Sequence, residues 1–436
     1  MARIAVIGGG AAGLNAARKL NELGQQVTVF EKAEYLGGRA RSEVIDGCVV
    51  DTGAQLFGSG FRALFDFAEA MNARSLLVRS PGRDAVWRGG RAHPITYGNV
   101  ASMVTSSALP ATLKLKLGAK YVPYLLRHNQ LDPGDPCAHG GDRLEGESVA
   151  EWGRRELGSD FVELLAYPLL GAYYGSAPED TTVVLYHALA RAGLDVSVYA
   201  IEGGTSRLFD AAAEHLHNRG VHFRRGVAVE RVVSAGSEGV TVNGAAFDGA
   251  VLAVPPSVAR AICSFPEQLR IWLNDVRFTP SAVLALVLKE RIHADYFGLS
   301  IPRGDAASEI VALCIQQQKL PGLVPLDRSL LIALGAPAAN EQLLADARAG
   351  VERMIDAIEI VMPGTRGRIA HAKLYRHVEG YPVFYSGYLQ HLKNFPPYAV
   401  PRVMLAGDYL VSPTIEGALR SGERAALRLY DQVRGL

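Results

Sequence analysis

Ala2-Arg3-Ile4-Ala5-Val6-Ile7-Gly8-Gly9-Gly10-Ala11-Ala12-Gly13 stands at the start of the chain and decides how its fold is read. Ala2–Ile7 is short, apolar and rich in β-branched residues, the composition of a buried strand. Gly8, Gly10 and Gly13 fit G-x-G-x-x-G, and Leu14–Leu23 reads as a helix. Each glycine has a physical task. Gly8 allows the tight turn, Gly10 lets a pyrophosphate approach the main chain, and Gly13 lets helix and strand pack closely. Ala11 and Ala12 lie at the helix N-terminus, where free N–H groups and the dipole favour an anion. A second strand, Gln26–Phe30, leads into Glu31 and Lys32. Glu31 stands eighteen residues past Gly13, close to the ~20 expected of the carboxylate that binds a ribose diol. A 2′-phosphate would be repelled there. The motif alone leaves open which dinucleotide it serves.

The rest of the composition narrows the classes. With 436 residues the chain is long enough for two or three domains. Its 45 basic and 44 acidic side chains leave a net charge of +1, which gives no basis for a nucleic-acid partner. Cys48, Cys137, Cys263 and Cys314 are scattered, with no Cys-x-x-Cys pair and no metal-ligand spacing with histidines. No disulfide framework, redox dithiol or metal site is therefore expected, and a reducing cytoplasm is the expected location. The start of the chain carries no leader pattern, and no apolar run approaches the ~18 residues of a membrane span.

Further motifs follow in order. Gly37-Gly38-Arg39-Ala40 comes after Glu31, and a hairpin-like Ile45–Val50 leads to Asp51-Thr52-Gly53-Ala54-Gln55. Ile201–Leu208 forms a glycine turn before a helix to Leu216, the segment Gly226–Val232 follows, and Gly249–Pro256 ends in Ala-x-Pro-Pro. At the far end a strand runs into Gly407-Asp408, and Thr414-Ile415-Glu416-Gly417-Ala418 opens a helix through Leu429. In this succession the chain resembles the flavin amine oxidase, protoporphyrinogen oxidase and phytoene desaturase superfamily.

That resemblance implies an α/β fold: a Rossmann-like FAD-binding domain of the GR2 type with an inserted α+β substrate-binding domain. Residues 1–75, 200–260 and 395–436 would assemble the first, and residues 76–199 and 261–394 the second. It implies that Gly38 and Arg39 meet the FAD pyrophosphate and that Gly53, Ala54 and Gln55 run beside the isoalloxazine. Val229, on an adenine-contacting strand, would meet the adenine through its backbone. Gly407 and Asp408 would meet the ribityl and phosphate region. Thr414, Ile415 and Ala418 would bring the last helix N-terminus to flavin N1 and C2=O, where it stabilises the charge gained on reduction. Covalent-flavin members use a cysteine before the last strand, and no cysteine follows Cys314. Non-covalent FAD is the expectation.

On the substrate side, Leu109–Arg127 reads as helical and the Pro/Gly/Asp-rich stretch Asn129–Gly146 as a mobile loop. Ser148 with Glu151 reads as a capping box. Leu169–Gly175 resembles a family segment at the active-site wall, so Tyr174 is a pocket candidate, with a buried core tyrosine as the equal alternative. Lys114, Lys116, Lys120 and Arg127 are read as a solvated helix face in preference to a membrane-binding one. Ser281–Leu288 reads as a buried strand, and Tyr375, Tyr381, Phe384, Tyr385 and Tyr388 form an aromatic cluster. Family amine oxidases often place an aromatic cage residue where this chain has Thr414.

The reaction implied is hydride removal from a C–N or C–C bond of a small molecule onto flavin N5, with hydrophobic substrates and a biosynthetic setting among the alternatives. Tyr381, Tyr385, Gln55 and Tyr174 are the catalytic candidates. No second strand–G-x-G-x-x-G–helix unit is present, so dioxygen or a quinone is the expected electron acceptor. Two other readings share the nucleotide-binding plan: redox-neutral chemistry of the UDP-galactopyranose mutase type, and non-catalytic binding of the Rab GDP-dissociation inhibitor type.

Overall fold

The computed structural model describes residues 1–81, 83–96 and 99–434. The first strand, Arg3–Ile7, is buried at every position after Arg3, because it lies at the centre of a five-stranded parallel sheet. The order across that sheet is His222–Arg224, Gln26–Phe30, Arg3–Ile7, Gly249–Leu252, Val403–Leu405. Numbered along the chain this is 3-2-1-4-5, so the order reverses beside the first strand. The crevice at the carboxyl ends of such strands is where sheets of this kind bind ligands.

The first helix is Ala11–Glu22 and the last is Ile415–Val433. They meet backbone to backbone, since a Cβ added at Gly422 would lie 2.0 Å from the Ala12 carbonyl oxygen. This contact joins the two ends of the chain over one sheet. The first helix begins at Ala11, ahead of the expected Leu14, so its free N–H groups reach closer to the glycine turn.

Of Gly226–Val232, expected as strand, only Val232 lies in one; the neighbouring strands are His222–Arg224 and Val232–Ser234. Gly226 turns the chain at φ +67°. The N–H groups of Glu230 and Arg231 then donate to the Asn243 side chain, at 2.9 and 3.2 Å. A side chain here replaces the ladder.

The two insertions share a seven-stranded sheet in the order Ile369–Pro382, Phe278–Leu288, Ser329–Gly335, Ile310–Ile315, Gly298–Ser300, Asp84–Arg88, Arg91–Ile95. Only the pairing of Gly298–Ser300 with Asp84–Arg88 is parallel. Ser281–Leu288 is buried throughout, as its unbroken apolar run requires.

Helices occupy most of residues 100–193. The expected Leu109–Arg127 helix is Ala111–Lys116, a wider turn Leu117–Tyr121, and Val122–Arg127. The Ser148–Glu151 capping box makes both of its reciprocal bonds. Asn129–Gly146 is held in place, contrary to its composition. Asp132 pairs with Arg420 at 2.7 Å, Asp135 with Arg424 and Asp142 with Lys393, while Glu145 accepts the N–H groups of Leu389 and Gln390. No helix among the described residues is long and apolar enough to cross a membrane.

Candidate active site

A cleft of about 580 Å³ opens at the carboxyl end of the parallel sheet and runs between the two sheets. That volume lies within the range of small-molecule and cofactor sites. At one end it is lined by Gly8, Gly10, Ala11 and Ala12, with Glu31 and Lys32 beside them and Val229 opposite. Gly8 has φ +103°, and a Cβ there would meet the Ala253 carbonyl oxygen at 2.3 Å, so the turn admits only glycine. Gly13 lies off the cleft. A Cβ on it would stand 1.9 Å from the Gly8 oxygen, which makes it the packing glycine between turn and helix. Gly10 meets nothing nearer than Gly38 Cα at 3.9 Å, leaving its main chain open to the cleft. Glu31 accepts the N–H groups of Gly9 and Ala33 at 2.8 and 2.9 Å, which aims its carboxylate across the turn.

Gly38 and Arg39 line the next stretch. Gly37 and Gly38 both have positive φ, and the Gly37 N–H donates to the Gly9 carbonyl at 2.9 Å, which ties this turn to the first glycine turn. The Arg39 guanidinium is already engaged. It donates to the Gly380 carbonyl at 2.6 Å and pairs with Asp408 at 2.8 Å, tying the Gly-Gly-Arg turn to the C-terminal Gly-Asp motif. The side chain expected at the pyrophosphate is thus already held by Gly380 and Asp408.

Gly53, Ala54 and Gln55 line the middle of the cleft with Gly407, Asp408, Thr414, Ile415 and Ala418. Thr414 caps the last helix by accepting the Gly417 N–H at 3.1 Å, so the remaining N–H groups of that first turn lack intrahelical acceptors. Glu416 faces away from the cleft. It accepts from Ala63 and Leu64, both at 2.9 Å, and from Arg420 at 2.7 Å, thereby capping the helix Arg62–Ala70 from a different part of the chain.

A long dinucleotide with a flat ring system fits these residues: a turn with open main chain, a carboxylate at the ribose position, and a helix end at the far side. The Asp51-to-Gln55 segment is braced from below. Asp51 accepts from Thr205 N at 2.8 Å and pairs with Lys319 at 2.6 Å, and both charged side chains are all but inaccessible, at 2% and 0% exposure.

The substrate side of the cleft is walled by Tyr381, Cys314, Asp84, Gly298, His377 and Tyr173. Gln316 donates to Gln55 at 2.8 Å, fixing the amide next to Cys314. Burial pushes the Cys314 thiol up to about 12 and raises the Tyr381 hydroxyl, so both stay protonated at neutral pH. Burial also holds His377 below its ordinary value, and its ring lies 2.7 Å from the Thr52 carbonyl oxygen. Asp84 is pushed up to about 7 by burial, against one hydrogen bond from the Gly298 N–H.

Two pocket candidates fall elsewhere. Tyr174 is buried in the helical core at 2% exposure, and its neighbour Tyr173 faces the cleft. Helical phase accounts for this: Leu169, Ala172 and Tyr173 share one face, while Leu170 and Tyr174 share the other. Tyr385 also lies off the cleft, under the Arg277 guanidinium at 4.8 Å and edge-on to Tyr388. Asp84, His377, Tyr173 and Lys319 were not singled out from sequence. A lone acid heading the apolar run Ala85-Val86-Trp87 was the available signal for Asp84.

Fold and cleft together define a dinucleotide-binding protein of the flavoenzyme class, with its nucleotide site assembled from distant parts of the chain. Residues 11–429 match the family model of flavin containing amine oxidoreductases, and the chain belongs to that family. FAD is its cofactor. AofH of Mycobacterium tuberculosis, which carries the name flavin-containing monoamine oxidase, is 27% identical over 285 residues, covering 61% of this chain and 59% of AofH. Protoporphyrinogen oxidase 2 of Arabidopsis thaliana is 29% identical over 184 residues, covering 42% of this chain and 34% of that protein. The chain thus matches little more than half the length of the first relative and a third of the second. Among solved structures, cyclohexylamine oxidase from Brevibacterium oxydans superposes with TM-score 0.76 at 17% identity, over 99% of both chains. A reduced UDP-galactopyranose mutase gives TM-score 0.71 at 17% identity, over 100% of this chain and 96% of the other. These likenesses fix the fold.

Proposed function

We propose that the protein is an FAD-dependent oxidase or dehydrogenase acting on a C–N or C–C bond of a small, largely apolar molecule. The observation that carries this reading is a single cleft, lined by the first glycine turn, the Gly53–Gln55 segment and the last helix end, that continues into an apolar substrate wall. Bound FAD supplies a two-electron acceptor at N5 for the hydride removed from substrate. The chain's own residues bind, orient and exclude water. The main chain at Gly10 and Gly38 receives the pyrophosphate, Glu31 the ribose, the Val229 backbone the adenine, and the turn at Thr414 and Ile415 the pyrimidine edge of the flavin. Residues 1–75, 200–260 and 395–436 serve as the FAD-binding domain and the remainder as the substrate domain. The absence of any cysteine after Cys314, where covalent-flavin members carry theirs, supports non-covalent FAD.

An apolar side cavity of about 210 Å³ shares Phe57, Phe61, Leu169, Tyr173 and Val198 with the cleft. It supports a hydrophobic portion on the substrate. Dioxygen or a quinone is the proposed acceptor, since the sequence carries one dinucleotide motif. A mutase acting on a nucleotide diphosphate would need cations at the substrate wall. Lys32 and Arg39 are the only Lys or Arg among the described residues lining the cleft, both lie on the FAD side, and Arg39 is paired with Asp408. This favours the oxidase reading.

The test is anaerobic bleaching of the bound flavin by a panel of amines, a porphyrinogen and lipophilic polyene precursors. Rapid bleaching by one class is the expected result. A yellow protein that none of them bleaches would refute the oxidase reading, and a colourless protein that refuses FAD would refute the assignment of the cleft.

A further inference from the structure

Four carboxylates line the cleft among the described residues: Glu31, Asp84, Glu379 and Asp408. Three are matched to partners within the protein. Glu31 accepts two main-chain N–H groups, Glu379 accepts the Ser257 hydroxyl at 2.7 Å, and Asp408 pairs with Arg39. Asp84, like Glu379, has one neutral donor and no cationic partner among the described residues, but its donor is the Gly298 N–H and burial desolvates the carboxylate. Its carboxylate lies directly on the Gly298 main chain, where a Cβ would come within 2.5 Å of Oδ1. Leu299, Ala312, Cys314 and Leu334 line the cleft around it. The Cys314 thiol is the titratable group facing it, and the strand partner on its other side is Ile95.

A carboxylate in such surroundings is costly to ionise unless a cation arrives with matching hydrogen bonds. We infer that Asp84 is a specificity residue whose carboxylate receives a cationic nitrogen of the substrate, so that the molecule oxidised carries positive charge at the wall made by Asp84, Gly298 and Cys314. The inference rests on the oxidoreductase reading above and adds the substrate's charge to it. An incoming ammonium replaces the missing partner and favours the ionised carboxylate, while the adjacent apolar cavity takes the remainder of the molecule. Neutral molecules of the same shape gain the apolar contacts alone. Because the free carboxylate titrates near 7, the fraction competent to bind a cation rises about tenfold between pH 6 and 8, and apparent affinity rises with it.

The experiment uses FAD-loaded protein under anaerobic conditions, titrated with n-hexylamine and with n-hexanol at pH 6 and pH 8, binding being read from the shift in flavin absorption. Hexylamine is expected to bind about tenfold more tightly at pH 8, and hexanol equally at both. Asp84→Asn should weaken hexylamine binding at pH 8 at least tenfold and abolish its pH dependence, with hexanol affinity and FAD content unchanged. Asp84→Glu should restore part of the amine affinity. Hexylamine binding no tighter than hexanol at pH 8, or bound equally by Asp84→Asn, would overturn the inference. Loss of FAD from the wild-type protein would instead strike the underlying flavoprotein reading.

Discussion

Lys319→Met is the substitution that most directly tests how the flavin segment is held. Lys319 lies 2.6 Å from Asp51, and water reaches neither side chain to any useful extent. At that distance and an effective dielectric of about 20 the attraction amounts to about 6 kcal/mol, most of it offset by the cost of desolvating both ions. Removing one partner keeps the desolvation cost of the other and forfeits the attraction, which puts the loss at about 3–5 kcal/mol. Asp51 retains the Ser42 hydroxyl and the Thr205 N–H, so Lys319→Met should fall at the lower end, about 3 kcal/mol. Asp51→Asn leaves Lys319 buried without a counter-charge and should cost more. The double variant should be less destabilised than the sum of the singles by at least about 2 kcal/mol. Urea unfolding of the FAD-free protein, followed by far-UV circular dichroism at constant pH, measures all four corners of the cycle. FAD retention provides a second reading, because Asp51 immediately precedes the Thr52–Gln55 segment. A Lys319→Met loss under about 1 kcal/mol, or strict additivity in the double variant, would refute the reasoning.

Glu416→Ala removes three charge-assisted bonds at once and leaves Arg420 only its pair with Asp132, so thermal unfolding should show a loss of about 3–5 kcal/mol. Gly10→Ala and Gly13→Ala should separate binding from folding. The first adds a Cβ that meets nothing nearer than Gly38 Cα at 3.9 Å, an ordinary contact, at φ −77°, and should fold normally while losing FAD affinity at least tenfold; the second drives a Cβ to 1.9 Å from the Gly8 oxygen and should lose the fold as well. Circular dichroism and flavin content on the same samples distinguish the two. Asp84 gives a stability prediction with a definite sign. Its folded value of about 7 lies above its ordinary 3.8, so the folded state holds the proton more tightly between those limits and this group lowers stability as pH rises through them. Substrate-free wild type should therefore lose about 3 kcal/mol relative to Asp84→Asn between pH 5 and pH 8. Parallel melting curves of the two proteins at both pH values would contradict this.

The glycine turn at Gly8–Gly13 and the Glu31 position were legible because each is a local requirement, whereas the Gly53–Gln55 segment and the Thr414–Ala418 helix opening were picked out by resemblance to the family. All four contribute residues to the cleft, with Gly13 packing behind the turn. A main chain that must approach a pyrophosphate needs glycine wherever the ligand lies, and a helix that must offer its N-terminus needs a capping residue just ahead of it. Such needs leave residue types at short, fixed spacing. The capping box at Ser148 was readable for the same reason. Tyr174 illustrates a reading one residue out of phase: the segment was recognised, and the helical period then put Tyr173 on the cleft.

Asp51–Lys319 and Glu416 with the helix at Arg62 are of another kind. Their partners stand 268 and more than 350 residues apart, and nothing at either position in sequence specifies the other. The Glu416 carboxylate illustrates the consequence. Within the Glu-Gly-Ala motif it invites a catalytic role, yet its acceptor capacity is spent on Ala63, Leu64 and Arg420, and Arg420 in turn holds Asp132 of the Pro/Gly/Asp-rich stretch. The same residue type at Asp84 has one neutral donor and opens onto the cleft. What separates a structural carboxylate from a substrate-facing one is how many of its acceptor sites the fold itself fills and whether water can fill the rest; Asp84 and Glu379 each have a single neutral donor among the described residues, and Asp84 is the one pressed against the Gly298 main chain and desolvated there.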